Sequence, residues 1–121
     1  MADILVADDE PSVAEFVRRA LAHHGHRVVV AEDGLKAVDA LSRDRFDLLL
    51  SDIVMPGLDG IALALKVAKD FPKMRVVLMS GYAHERQRAH NLDALAHRVV
   101  AKPFTLHEIV AAVDDALAKT A

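Results

Sequence analysis

The chain contains no cysteine. Disulfides, thiolate metal sites and cysteine nucleophiles are therefore excluded, and the composition fits a reducing compartment such as the cytosol. Long apolar runs are also missing. No stretch approaches the ~20 apolar residues that a membrane-spanning helix needs. The opening Met1-Ala2-Asp3 lacks the basic segment and extended apolar core of a secretion signal. Pro/Gly/Ser-rich spacers, low-complexity tracts and long internal repeats are absent, so nothing divides the chain into parts. A strong excess of one charge is missing as well. Fifteen Lys and Arg against eighteen Asp and Glu leave a formal charge of -3. That balance gives no electrostatic case for nucleic acid or membrane as a partner.

What is present is enough for one core. Hydrophobic residues make up 53% of the 121 residues and charged residues 27%, which points to a single folded, soluble domain spanning 1–121. Short apolar runs recur along it: Ile4-Leu5-Val6-Ala7, Val28-Val29-Val30-Ala31, Leu48-Leu49-Leu50, Val76-Val77-Leu78-Met79 and Val99-Val100-Ala101. Runs of this length suit strands covered on both faces, as in a parallel sheet.

The segments between the runs read as helices. Val13, Phe16, Val17, Ala20 and Leu21 form one stripe, with Arg18 and Arg19 turned away. Leu35, Val38 and Leu41 form a second. Ile61, Ala64, Leu65 and Ala68 form a third, widened by Leu63 and Val67. The last stripe is Leu106, Ile109, Val110, Val113 and Leu117, opened by a Thr105/Glu108 capping box. Asp59 is placed to cap the third helix. Residues 84–90 are the weak helical segment, almost without apolar side chains. The pattern is (βα)5, an α/β three-layer sandwich in which right-handed crossovers join parallel strands. Reactive sites in such sheets lie outside the carboxyl ends of the strands.

Polar residues mark those ends. Asp8 and Asp9 follow the first run, Asp52 the third, Ser80 the fourth and Lys102 the fifth. If the first, third, fourth and fifth strands are neighbours, these side chains gather at one edge. Three close carboxylates repel unless a cation compensates them. An all-oxygen donor set without His or Cys favours Mg²⁺ over Zn²⁺. Asp9 and Asp52 would be direct ligands, with Asp8 acting partly through water. Such a site can bind a phosphorylated metabolite, hydrolyse a phosphoester, or accept a phosphoryl group on a carboxylate. In the last case Lys102 and Ser80 would address the phosphoryl oxygens, and loop amides near Val54 and Gly81 would add donors.

The stretches Ile4-Leu5-Val6-Ala7-Asp8-Asp9-Glu10, Asp52-Ile53-Val54-Met55-Pro56-Gly57-Leu58-Asp59-Gly60, Ser80-Gly81-Tyr82 and Lys102-Pro103-Phe104 together resemble the CheY-like receiver family of response regulators. The resemblance runs from residue 3 to about 118. It implies a flavodoxin-like strand order 2-1-3-4-5 and phosphorylation of Asp52 by a histidine kinase or histidine phosphotransfer protein. It further implies Mg²⁺ on Asp9, Asp52 and the Val54 carbonyl, with Asp8 assisting. Ser80 becomes the switch hydroxyl and Lys102 the phosphoryl contact, and a cis bond is common at Lys102-Pro103. The implied role is a phosphorelay switch that signals to a downstream protein effector, with no turnover of an external substrate. Alternatives are a docking domain indifferent to phosphorylation and a small Mg²⁺-dependent phosphohydrolase.

Two departures stand out. The family's switch aromatic falls at position 99, which is Val99 here, and Leu95-Ala96-His97 replaces the usual glycine–alanine pair before the fifth strand. The family's output surface, which includes the 84–90 segment, is thus less transferable. The wording around Ser80 and Lys102 resembles receivers of hybrid histidine kinases and of stand-alone cell-cycle regulators; the opening favours a stand-alone protein.

Among other residues, Met55 and Met79 read as packing residues. Tyr82 reads equally as a partner anchor or an ordinary half-buried aromatic. Arg86 and Arg88 read as a solvated face. Of the seven histidines, His23, His24 and His26 cluster where the first helix ends, where protonated imidazoles favour the helix's negative end. A zinc site there is the minor reading. His84, His90, His97 and His107 read as surface or interface residues.

Overall fold

The computed structural model describes residues 1–81 and 98–118. Its elements are β1 (Asp3–Ala7), α1 (Pro11–His23), β2 (Arg27–Ala31), α2 (Gly34–Arg43) and β3 (Leu48–Asp52). They continue with α3 (Gly60–Asp70), β4 (Arg75–Ser80), β5 (Arg98–Ala101) and α4 (Leu106–Ala118). The expected helical segment over residues 84–90 lies outside the described residues, as do Tyr82, Arg86, Arg88, His84, His90 and His97.

All strand pairings are parallel and the sheet order is β2-β1-β3-β4-β5. The order follows the implied one. It makes β1, β3, β4 and β5 consecutive neighbours, which is the condition for the polar strand ends to meet.

Alternation along the strands supplies two apolar layers. Leu5, Ala7, Leu49, Val76 and Leu78 face α2 and α3, where Ala37, Leu41, Ile61, Leu63 and Val67 meet them. Ile4, Val6, Leu48, Leu50, Val77 and Met79 face α1 and α4, against Val17, Leu21, Ile109, Val113 and Ala116. The leucine run of β3 is fully buried at all three positions because its strand is central and covered on both sides. Met55 and Met79 are buried packing residues, as expected.

All four helical stripes differ in part from the periodicity reading. Phe16 is 42% exposed because its ring leans toward Phe104, with centroids 6.3 Å apart, and away from the sheet. Leu35 and Leu106 sit in first turns at the rim of the fold and are mostly exposed. On α3 the buried set is Gly60, Ile61, Leu63, Ala64 and Val67, whereas Leu65 and Ala68 face water. Both candidate stripes have helical spacing; docking on the sheet selects the one with the smallest residue at the closest approach.

The caps behave as read. Thr105 Oγ1 accepts from the Glu108 N–H at 3.1 Å, and Glu108 Oε1 accepts from the Thr105 N–H at 2.8 Å. Asp59 Oδ1 accepts from the Ala62 N–H at 2.8 Å and starts α3. Asp33 caps α2 in the same way through Lys36.

Two glycines near the end of β3 serve different needs. Gly57 has φ +78°, a left-handed turn conformation. Gly60 lets α3 begin directly against β3: its N–H donates to the Ile53 carbonyl at 2.8 Å, and a Cβ there would collide with the Asp52 carbonyl oxygen.

Helix propensity alone favours alanine over glycine by ~1 kcal/mol inside a helix. The collision with the Asp52 backbone reverses that sign. Gly60→Ala is expected to lower unfolding stability by about 2 kcal/mol or more in urea titrations. A neutral or stabilising result would refute the close-approach argument.

Candidate functional site

The carboxyl ends of β1, β3, β4 and β5 form one rim. Asp8 is the first residue past β1 and is 2% exposed, with its N–H held by the Ala31 carbonyl at 3.1 Å. Asp52 and Ser80 are the last residues of β3 and β4, which extend past their apolar runs by two residues and by one, and both are buried. Lys102 follows β5. Its N–H donates to the Ser80 carbonyl at 2.7 Å, which fixes the two strand ends together. The Lys102-Pro103 bond is cis.

The Lys102 ammonium is the centre of the cluster. Nζ lies 3.4 Å from Asp8 Oδ2 and 3.4 Å from Asp52 Oδ2, with Glu10 Oε1 at 3.9 Å. Asp8 spends its other oxygen on the Glu10 N–H at 2.9 Å. Each of Asp8, Glu10 and Asp52 offers an oxygen within 4.8 Å of the others.

Burial shapes the protonation of these groups. Desolvation pushes the Asp52 carboxyl up to about 6; Lys102 opposes the shift, while Asp8 and Asp9 add to it. Burial also raises Asp8, against the Glu10 N–H and Lys102. For Lys102 burial acts to lower the ammonium, but Asp52 and Asp8 outweigh it, so the group stays charged with a raised pKa.

A cavity of about 600 Å³ opens over the cluster. Asp9, Glu10, Asp52, Val54 and Lys102 line its polar part, and Phe16 and Phe104 form an apolar wall. Of the residues read as a site, Asp8, Asp52 and Lys102 are thus in mutual contact. Asp9 is exposed and lines the same cavity, but its carboxylate is outside the close trio. Val54 is half exposed and beside it. Ser80 is buried at the neighbouring strand end.

Glu10 had been given no role by sequence, although it is the third acid of the Asp8-Asp9-Glu10 run. The acidic run was the only signal available for it.

Three carboxylates against one ammonium leave two uncompensated negative charges, before Asp9 is counted. The donors are all oxygen. The cluster therefore fits a hard divalent cation, and Mg²⁺ more than Zn²⁺.

A second cluster joins the turn after α1 to α4. His24 Nε2 lies 3.1 Å from Asp114 Oδ2, and His26 completes a trio with them. His26 Nδ1 accepts the Ala2 N–H at 3.0 Å, so in the neutral ring the proton resides on Nε2. That nitrogen is buried and has no hydrogen-bond partner among the described residues. A protonated ring nitrogen is not a metal ligand, so this tautomer works against zinc here. Val99 packs into the layer facing α2 and α3, opposite Leu78 of β4.

Among the described residues no helix is long and apolar enough to cross a membrane. The response regulator receiver domain profile matches residues 4–114. The fold and the acidic rim define a receiver domain, and the chain belongs to the response regulator receiver family, whose members are two-component signalling switches. The response regulator MprA of Mycobacterium avium (strain 104) is 34% identical over 117 residues, 97% of this chain and 51% of the relative. The MprA protein of Mycobacterium leprae is 33% identical over the same length. The chain spans about half the length of these curated relatives.

Among solved structures, the response regulator TrrA of Thermotoga maritima, in complex with Mg²⁺ and BeF, is 31% identical with a TM-score of 0.85. That match covers 94% of this chain and 97% of TrrA. A CheY-like receiver domain protein of Methanospirillum hungatei JF-1 gives a TM-score of 0.89 at 25% identity, over 97% of this chain and 94% of that one.

The raised Asp52 pKa carries a pH prediction. An acid whose folded pKa exceeds its unfolded one stabilises the fold below the unfolded value, near 3.8, and that gain is lost as pH rises to about 6. Without divalent ions, Asp52→Asn should therefore be more stable than the parent at pH 7, by about 1–3 kcal/mol. The difference should shrink toward pH 4. Urea titrations in a chelator read both, and a parent more stable than the variant at pH 7 would contradict the assignment of burial as the dominant effect.

Proposed function

We propose that Asp52 is the phosphoacceptor of a two-component phosphorelay, and that its phosphorylation requires Mg²⁺. The observation that carries the reading is a buried carboxylate at the floor of an open cavity, with the Lys102 ammonium 3.4 Å away. A lysine so placed is matched to charge that a single aspartate does not need.

The reaction has a simple balance. An ionised Asp52 oxygen attacks the phosphorus of a phosphohistidine in line, the P–N bond breaks, and the imidazole leaves as the phosphoryl group becomes an acyl phosphate. Asp9, Asp52 and the Val54 carbonyl would hold Mg²⁺, with Asp8 acting through water. When bound, the ion supplies positive charge beside the equatorial phosphoryl oxygens. Lys102 supplies a second positive charge from the β5 side and Ser80 a hydroxyl donor from β4. Asp52 must be deprotonated to attack; burial holds its ion-free carboxyl up at about 6, and a bound cation would favour the ionised form.

The donor would be a histidine kinase or histidine phosphotransfer protein in the cytoplasm, and the recipient of the signal a downstream protein effector. Phosphoryl oxygens on Asp52 would draw Lys102 and Ser80 toward them. Because Lys102 and Ser80 are joined through backbone, the ends of β4 and β5 would move together. Val99 replaces the usual aromatic readout and is partly buried against the core, so the switch would work through this strand-end movement without a swinging ring. The reading treats the chain as one receiver unit that turns over no external substrate.

Incubation with phosphoramidate and Mg²⁺ should attach one hydroxylamine-labile phosphoryl group, detected by intact mass. Asp52→Asn should remain unlabelled, and a chelator in place of Mg²⁺ should abolish labelling of the parent. Partner recovery with and without beryllofluoride separates the alternatives. Equal recovery would favour phosphorylation-independent docking, and label retained in Asp52→Asn would refute the phosphoacceptor assignment.

A further inference from the structure

Glu10 has a carboxylate that no local structural duty occupies. It is the N-cap residue of α1, yet its side chain makes no capping hydrogen bond. Its backbone N–H is held by Asp8 Oδ1, which fixes where the residue sits relative to the site. The side chain is 62% exposed at the cavity mouth, and it turns toward Lys102 at 3.9 Å. Its oxygen also comes within 4.8 Å of oxygens from Asp8 and Asp52. A glutamate with this much freedom extends into water unless something favours the inward rotamer.

We propose that Glu10 is a fourth cation-facing carboxylate, beside Asp8, Asp9 and Asp52, that raises the affinity of the site for Mg²⁺. The inference rests on the Mg²⁺-dependent reading of Asp52. The reason is competition for oxygens. Lys102 occupies one oxygen each of Asp8 and Asp52, at 3.4 Å, and so competes with a cation for them. A carboxylate on the rim offers the ammonium another partner and so frees those oxygens. It also adds negative charge close to a divalent ion, where its effect is strongest at low ionic strength. Glu10 acts through the water shell and through Lys102, so it is a positioning residue and an affinity determinant. It takes no part in the bond-making step.

The test is Mg²⁺ titration by calorimetry, with Mg²⁺-induced thermal shifts as a second readout. Glu10→Gln keeps the shape and removes the charge. It should weaken Mg²⁺ binding by about three- to tenfold at low salt, less at high salt. The ion-free melting temperature should stay level or rise, because a repulsive charge has gone. Glu32→Gln, which alters an exposed acid paired with Lys36 away from the cavity, should leave Mg²⁺ affinity within about twofold.

Unchanged Mg²⁺ affinity in Glu10→Gln would overturn the inference, as would an equal loss in Glu32→Gln. A matching fall in stability with and without Mg²⁺ would assign Glu10 a structural role and overturn it too. Asp52→Asn separates the two levels. If that variant binds Mg²⁺ as the parent does, the site reading itself fails; if it binds weakly while Glu10→Gln is normal, only the role of Glu10 fails.

Discussion

The structure depends on one ammonium held among buried carboxylates. Lys102 compensates Asp8 and Asp52, which sit at the ends of neighbouring strands and would otherwise repel each other in a poorly solvated rim. Removing such charges from water costs several kcal/mol per ion unless they are paired. The pairing is incomplete, because one positive charge faces three carboxylates. The remaining negative charge is what fits the rim to a cation, while the raised Asp52 pKa comes first from burial, with Asp8 and Asp9 adding to it against Lys102.

The fold keeps that imbalance in place. The parallel order β2-β1-β3-β4-β5 puts every contributing strand end on one side of the sheet. Backbone bonds finish the positioning: Lys102 is tied to Ser80, Ile53 to Met79, and α3 to the end of β3 at Gly60. The two apolar layers resist sliding of the strands, since a shift of one residue would expose one face of leucines and valines. A rigid sheet thus holds excess negative charge at its edge, which a bound cation would relieve.

Membership of the receiver family accounts for the switch role in outline, while two features bear on how this chain carries it. Val99 is a partly buried residue packed against the core where the family resemblance implies an aromatic, which moves attention to the linked ends of β4 and β5. Glu10 brings a further acid to the rim. Both concern how strongly the site is loaded and how its state is transmitted, and neither alters the central group.

Much of this was legible in the residues. Apolar runs bounded by polar residues gave the strands, and the Thr105/Glu108 and Asp59 caps were readable because capping is local in sequence. The polar strand ends were legible as a set for the same reason. Other features depended on contacts between distant segments. Phe16, Leu35, Leu65 and Leu106 all have helical spacing suitable for a core, yet the geometry of docking leaves them at the rim. Nothing local marks Gly60 within the Asp52–Gly60 stretch, and only the approach of α3 to Asp52 shows a steric need. Asp8, Asp9 and Glu10 are consecutive acids, but burial of Asp8, exposure of Asp9 and the inward turn of Glu10 follow from how β1 ends and α1 docks. Lys102 meets Asp8 across a separation of 94 residues. The sequence by itself determined which groups stand at the strand ends; tertiary structure decided which of them touch, because strand order and helix docking are set by the whole core.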